Sequence, residues 1–118
     1  MRAPQLTPAQ QAQLDHMVRD LKIDGYDDYH VRPIDASRDS GLHVQGWQGR
    51  FMMLAGRVRL EIAGHTFNYA EGEAYQVPPD TSHREVFGTG PNVLVIARKY
   101  TDKPLPEVNA EFTVVKLR

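Results

Sequence analysis

The sequence contains no cysteine, and this absence removes several kinds of site at once. Disulfide cross-links, thiolate nucleophiles and cysteine-ligated zinc or iron–sulfur centres are all excluded. A metal site in this chain would depend on nitrogen and oxygen ligands. The histidines are therefore the first candidates, and they are His16, His30, His43, His65 and His83.

An excess of charge of one sign is also missing. The 14 lysines and arginines nearly balance the 15 aspartates and glutamates, which gives a formal net charge of −1. Without a basic field, we expect neither nucleic acid nor an anionic membrane as a partner. The sequence has no apolar run near the roughly 20 residues that cross a bilayer and no signal-peptide pattern at its beginning. We therefore expect a cytoplasmic protein.

The length of 118 residues fits a single domain that begins with a helix. Thr7 followed by Pro8 is a typical helix N-terminus. Apolar residues then recur at spacings of three and four, which predicts an amphipathic helix over Thr7–Leu21. Residues 1–25 are therefore interpreted as an N-terminal helical extension, and residues 26–118 as one β domain.

The rest of the chain has the pattern of short strands separated by turns. Val58, Leu60 and Ile62 alternate with charged residues, as expected for a half-buried strand. Many such strands at regular spacing favour a sandwich or barrel. The predicted strands are Tyr29–Ile34, Leu42–Trp47, Arg50–Ala55, Arg57–Ile62, Thr66–Tyr69, Ala74–Val77, His83–Phe87, Asn92–Tyr100 and Glu111–Leu117.

Two motifs lie on either side of a predicted hairpin. The first runs from His43 through Gln45 to Gly56, and the second begins at Gly72, continues through a proline and ends at His83. The region from Gly41 to Arg98 resembles the cupin superfamily, in particular small single-domain, type-2-like cupins. The resemblance implies an all-β fold, a cupin-type β-barrel (double-stranded β-helix or jelly roll) preceded by one N-terminal helix. It also implies a homodimer, because small cupins often pair through their outer strands.

The sequence departs from the cupin motifs at three positions. Gln45 stands where the first motif has its second histidine, and the usual glutamate position falls on Gly49. Phe87 replaces the asparagine that often follows the second motif. The resemblance therefore implies a variant first motif, in which His43 and His83 occupy histidine positions of the family.

Strand alternation provides a separate argument for a metal site. Residues two apart share a face of a strand, so we expect Glu85 to point the same way as His83, and Gln45 the same way as His43. The candidate metal ligands are thus His43, Gln45, His83 and Glu85. They suit a divalent ion such as Fe, Mn, Ni, Co or Zn, with Glu85 completing a two-histidine, one-carboxylate set. Alternatively, these polar groups hydrogen-bond each other and a trapped water without any metal.

Trp47, Tyr75 and Phe87 are interpreted as core residues or as walls of a substrate pocket. The first functional hypothesis is a metal-dependent enzyme that acts on a small organic molecule. The alternatives are a non-catalytic cupin that binds or senses a small molecule through a degraded metal site, and an interaction protein with a vestigial site. Arg50 and Arg98 are candidates for contact with a substrate carboxylate, or are solvated strand charges.

Overall fold

The computed structural model describes residues 5–100 and 114–117, and within these ranges it has one helix followed by eight strands. The elements are α1 (Pro8–Ile23), β1 (Asp28–Ile34), β2 (Gln48–Ala55), β3 (Val58–Ile62), β4 (His65–Tyr69), β5 (Ala74–Val77), β6 (His83–Phe87), β7 (Asn92–Lys99) and β8 (Val115–Lys116). In this part of the chain, no helix has the length and apolar character needed to cross a membrane.

Helix α1 begins where the sequence predicts. The Thr7 side chain accepts a hydrogen bond from the Gln10 backbone N–H at 3.1 Å, and the Gln10 side chain accepts one from the Thr7 N–H at 2.9 Å. This capping box satisfies two backbone donors that the first turn leaves without helical partners. The helix buries one face, formed by Leu14, Met17 and Leu21.

The strands form two antiparallel sheets, as expected for a jelly roll. The larger sheet has the order β5-β2-β7-β1-β8, and the smaller one has the order β4-β3-β6. Among the described residues these pairings give two separate sheets and no closed barrel, so the architecture is a two-sheet sandwich. The all-β fold with one preceding helix is confirmed.

The core has two layers, one on each side of the larger sheet. Phe51 and Met53 of β2 lie between the two sheets, whereas Met52 and Leu54 pack under helix α1. Successive strand residues point to opposite faces, so a strand covered on both faces must be apolar throughout. This explains the apolar run Phe51–Ala55.

The prediction of a strand over Leu42–Trp47 is wrong. This segment makes only an isolated antiparallel bridge, between His43 and His83, and regular pairing starts at Gln48. Gly41 has a φ of +67°, a backbone conformation outside the β region, which interrupts an extended strand before this segment. Of the predicted last strand, Val115–Lys116 pairs with β1, and residues 111–113 lie outside the described residues.

Candidate metal centre

The candidate centre is built on β6 and the segment bridged to it. His83 and Glu85 share one face of β6 because they are two residues apart, and both are buried. His43 pairs with His83 through two backbone hydrogen bonds of 2.9 and 3.0 Å. Directly paired residues on adjacent strands project to the same face. The imidazoles therefore meet, with ring centroids 4.2 Å apart and planes inclined by 53°.

The three side chains converge on one carboxylate oxygen. Oε1 of Glu85 lies 3.7 Å from Nε2 of His43 and 3.8 Å from Nε2 of His83. Ligand atoms of the three residues all lie within 4.8 Å of one another. The His43 side chain is 35% exposed, whereas that of His83 is fully buried, so solvent reaches the cluster from the His43 side.

Backbone carbonyls fix the orientation of both histidine rings. Nδ1 of His43 lies 3.0 Å from the Gly41 carbonyl oxygen, and Nδ1 of His83 lies 2.9 Å from that of Thr81. A carbonyl oxygen can only accept a hydrogen bond, so in each neutral ring the proton is on Nδ1 and the lone pair is on Nε2. Metal-binding histidines characteristically hold their second nitrogen in this way. Both lone pairs thus lie near Glu85.

Tyr75 of β5 binds the second carboxylate oxygen of Glu85, Oε2. Its hydroxyl donates a hydrogen bond of 2.5 Å to Oε2 of Glu85, and both residues are buried. Burial, followed by the charge of Glu85, raises the pKa of Tyr75 well above its usual value of 10. The phenol therefore keeps its proton and acts as the donor. The sequence did not predict this contact, because Tyr75 was interpreted as a core residue or as a wall of a substrate pocket.

His43, His83 and Glu85 fit a divalent metal ion. Nε2 of His83 is buried and has no hydrogen-bond partner, although buried polar atoms are normally satisfied. Metal bonds to nitrogen and oxygen are about 2.0–2.2 Å long, so two ligands of one ion lie up to roughly 4 Å apart. The Nε2–Oε1 separations of 3.7 and 3.8 Å fall within this limit and are too long for hydrogen bonds. Two imidazoles and a carboxylate suit the first-row metals expected from the sequence.

Gln45 lies beside Gly49. Its Nε2 is buried without a hydrogen-bond partner and is 3.1 Å from the position that a Cβ on Gly49 would occupy. Its backbone carbonyl accepts a hydrogen bond from the Asp80 N–H at 2.8 Å. The side chain therefore fills space left by the glycine, and its role as a metal ligand stays a prediction.

The other predicted pocket residues pack between the sheets. Trp47 lies with its ring centroid 6.4 Å from that of Phe51 and 5.9 Å from the Arg98 guanidinium carbon, and Phe87 is buried in the same core. Tyr75 stacks on Phe51 at 4.9 Å. The interpretation as core residues is thus supported, and that as substrate walls stays a prediction.

Arg50 and Arg98, the candidates for contact with a substrate carboxylate, both form ion pairs within the protein. Nε and Nη2 of Arg98 donate to the two carboxylate oxygens of Asp28 at 2.9 and 2.7 Å, and both residues are buried. Arg50 forms an ion pair of 2.7 Å with Asp24. The bidentate Arg98–Asp28 pair was missed because its partners are 70 positions apart in the chain.

The remaining histidines have other environments. His16 and His65 are exposed, His16 on α1 and His65 at the start of β4. His30 is buried on β1, where desolvation and then the charges of Arg98 and Arg32 lower its pKa to about 4. His30 is therefore a neutral core residue at physiological pH.

Comparisons with known proteins identify the fold. No family model matches the chain, and no curated protein matches its sequence. Many solved structures are similar, among them an RmlC-like cupin from Shewanella frigidimarina (16% identity, TM-score 0.57, 66% of this chain and 70% of that one). KdgF from Halomonas sp. is 16% identical with a TM-score of 0.56, and the match covers 64% of this chain and 72% of KdgF. A structure described with the DMSP lyases RdDddP and RnDddQII is 15% identical with a TM-score of 0.55. This match covers 60% of this chain and 37% of that one. Further matches are described as cupins, and the chain therefore has the fold of the cupin superfamily.

Proposed function

We propose that His43, His83 and Glu85 bind one divalent metal ion and that the protein is a small metal-dependent cupin enzyme acting on a small organic molecule. One observation carries the proposal. Two histidine Nε2 lone pairs lie near one buried carboxylate oxygen, while backbone carbonyls hold both Nδ1 atoms. A chance cluster of polar side chains has no need for this common orientation.

The chain's own residues would bind the ion and limit access to it. When bound, the metal supplies Lewis-acid polarisation or dioxygen activation, the chemistry associated with two-histidine, one-carboxylate sites. Glu85 contributes the negative charge, and His83 anchors the ion in the buried part of the sandwich. His43 lies at the exposed side, where a substrate would approach.

The size of the proposed substrate follows from the fold. The space between the sheets is largely filled by apolar and aromatic side chains, so a substrate would reach the centre from the exposed His43 side and would be small. Among similar structures, the DMSP lyases illustrate that a related architecture accommodates an enzyme with a small substrate. Trp47 and Phe87 are proposed to contact such a substrate.

Metal analysis of the purified protein tests the proposal. We expect about one equivalent of a first-row divalent metal per chain, and its loss in His83→Ala and in Glu85→Ala. His65→Ala is the matched control because His65 is exposed at the start of β4. Circular dichroism verifies that each variant is folded. A parent protein that binds no metal, or a Glu85→Ala variant that keeps it, contradicts the proposed centre.

A non-catalytic binding protein is the second candidate. It is favoured by Gln45 and Gly49, which replace two ligand positions of the cupin motif with a neutral amide and a glycine. A metal-loaded protein that binds small molecules, as detected by calorimetry, but turns none of them over would support this candidate. Pairing into a homodimer stays a prediction from the resemblance.

A further inference from the structure

We propose that Tyr75 is a positioning residue for the metal centre, which holds one oxygen of Glu85 and leaves the other for the ion. This inference rests on the proposed function and assigns to Tyr75 a role that the cupin motifs do not contain. Its basis is the hydrogen bond of 2.5 Å from the Tyr75 hydroxyl to Oε2 of Glu85. The opposite oxygen, Oε1, is the one that lies near both histidines.

The two carboxylate oxygens of Glu85 have different partners: Oε2 accepts the hydrogen bond from Tyr75, and Oε1 faces the two histidines. A free carboxylate can bind a metal through one oxygen or through both, and it rotates between these modes. A short hydrogen bond from a buried phenol occupies Oε2 and restricts that rotation. Hydrogen bonds to ligating carboxylates orient the ligand and strengthen the site. Tyr75 therefore favours binding through Oε1 alone.

Aromatic packing restricts the position of the Tyr75 ring and hence of its hydroxyl group. The ring stacks on Phe51 at 4.9 Å and on Tyr69 at 4.8 Å, with interplanar angles of 15° and 21°. Tyr75 belongs to the larger sheet and Glu85 to the smaller one, so the hydrogen bond crosses the sandwich. The position of the carboxylate thus depends on the packing of both sheets.

Tyr75→Phe is the direct test, because it removes only the hydroxyl and keeps the ring stack. We expect the dissociation constant for Co²⁺, measured by titration of the metal-free protein, to rise about 10–100-fold. We also expect the visible absorption bands of the bound Co²⁺ to shift as the released carboxylate changes its binding mode. A loss of packing alone would leave these bands unchanged.

Tyr69→Phe is the matched control, because it removes a hydroxyl from the same aromatic stack. It should bind Co²⁺ with the affinity and spectrum of the parent protein. A Tyr75→Phe variant that also matches the parent overturns the inference while leaving the metal site intact. A parent protein that binds no Co²⁺ instead refutes the proposed function, so the two failures are distinguishable.

A measurement on the parent protein keeps the test independent of how well the variant folds. The infrared splitting between the symmetric and antisymmetric carboxylate stretches distinguishes binding through one oxygen from binding through two. The Glu85 bands are assigned by their disappearance in Glu85→Gln. We expect the one-oxygen pattern on addition of Zn²⁺, and a two-oxygen pattern overturns the inference.

Discussion

Gly49 leaves space that two neighbouring side chains use. A Cβ at this position would lie 2.5 Å from Cε2 of Phe51 and 3.1 Å from Nε2 of Gln45. Phe51 is buried and stacked on Tyr75, so its ring has little freedom to withdraw. The two departures from the first cupin motif, Gln45 and Gly49, therefore belong together sterically.

Gly49→Ala should destabilise the protein by about 1–3 kcal/mol, because the added methyl group overpacks the core. Urea unfolding measures the difference. Gly46→Ala is the control, since a Cβ there meets no atom within 4 Å, and it should change stability by no more than about 0.5 kcal/mol. Equal effects of the two substitutions would contradict the steric explanation.

His30 should make the stability of the metal-free protein depend on pH. Its folded-state pKa of about 4 lies below the ordinary value of 6.5, so between these values the unfolded chain binds a proton that the folded protein excludes. The free energy of unfolding should therefore fall as the pH is lowered from about 7 to about 4. A difference of one pKa unit corresponds to about 1.4 kcal/mol, so the contribution of His30 is at most about 3–4 kcal/mol.

Unfolding measurements across this pH range, with a chelator present, test the assignment. His30→Gln should lose less stability on acidification than the parent, whereas His65→Gln should follow the parent because His65 is exposed. An unchanged pH dependence in His30→Gln would assign the acid sensitivity to other groups.

At the scale of elements, the pattern of apolar residues predicted most of the structure. The spacing of Leu14, Met17 and Leu21 predicted α1, and the alternation around Leu60 predicted β3, because a single face of each element is buried. Leu42–Trp47 also alternates, yet it lacks a regular partner on either side. Alternation shows which side chains share a face, but it does not show whether a neighbouring strand is in register.

Helix α1 should contribute to stability through its buried face alone. Leu21 is fully buried against the larger sheet, whereas Ile23 is 81% exposed in the same helix. Leu21→Ala should cost about 2–5 kcal/mol by leaving a cavity. Ile23→Ala should be neutral or slightly stabilising, because alanine has the higher helix propensity. Similar losses in urea unfolding would show that α1 does not pack as described.

At the scale of the whole molecule, the candidate centre depends on the packing of the two sheets. The sequence predicted His43, His83 and Glu85, because motif spacing and strand alternation are local. It could not predict the Tyr75–Glu85 contact or the Asp28–Arg98 pair, because these require knowledge of which strands face or adjoin each other. Long-range polar contacts are set by the assembled fold.

Metal binding should stabilise the entire fold, because the ligands are brought together only in the folded state. At 100 times the dissociation constant, Zn²⁺ should add about 2.7 kcal/mol, which corresponds to an increase in the melting temperature on the order of 10 °C. Thermal unfolding with Zn²⁺ and with a chelator measures this change. His83→Ala should show none, and a retained increase would indicate binding elsewhere.

The two-sided burial of β2 has a consequence for redesign. Phe51 and Met53 belong to the interior between the sheets, and Met52 and Leu54 belong to the layer under the helix. A library that randomises Phe51 and Met53 alone would change the packing between the sheets while keeping Met52 and Leu54, on which α1 rests. The interior next to Tyr75 and Glu85 could thus be varied from one side of a single strand, while the contacts of that strand with the helix are conserved.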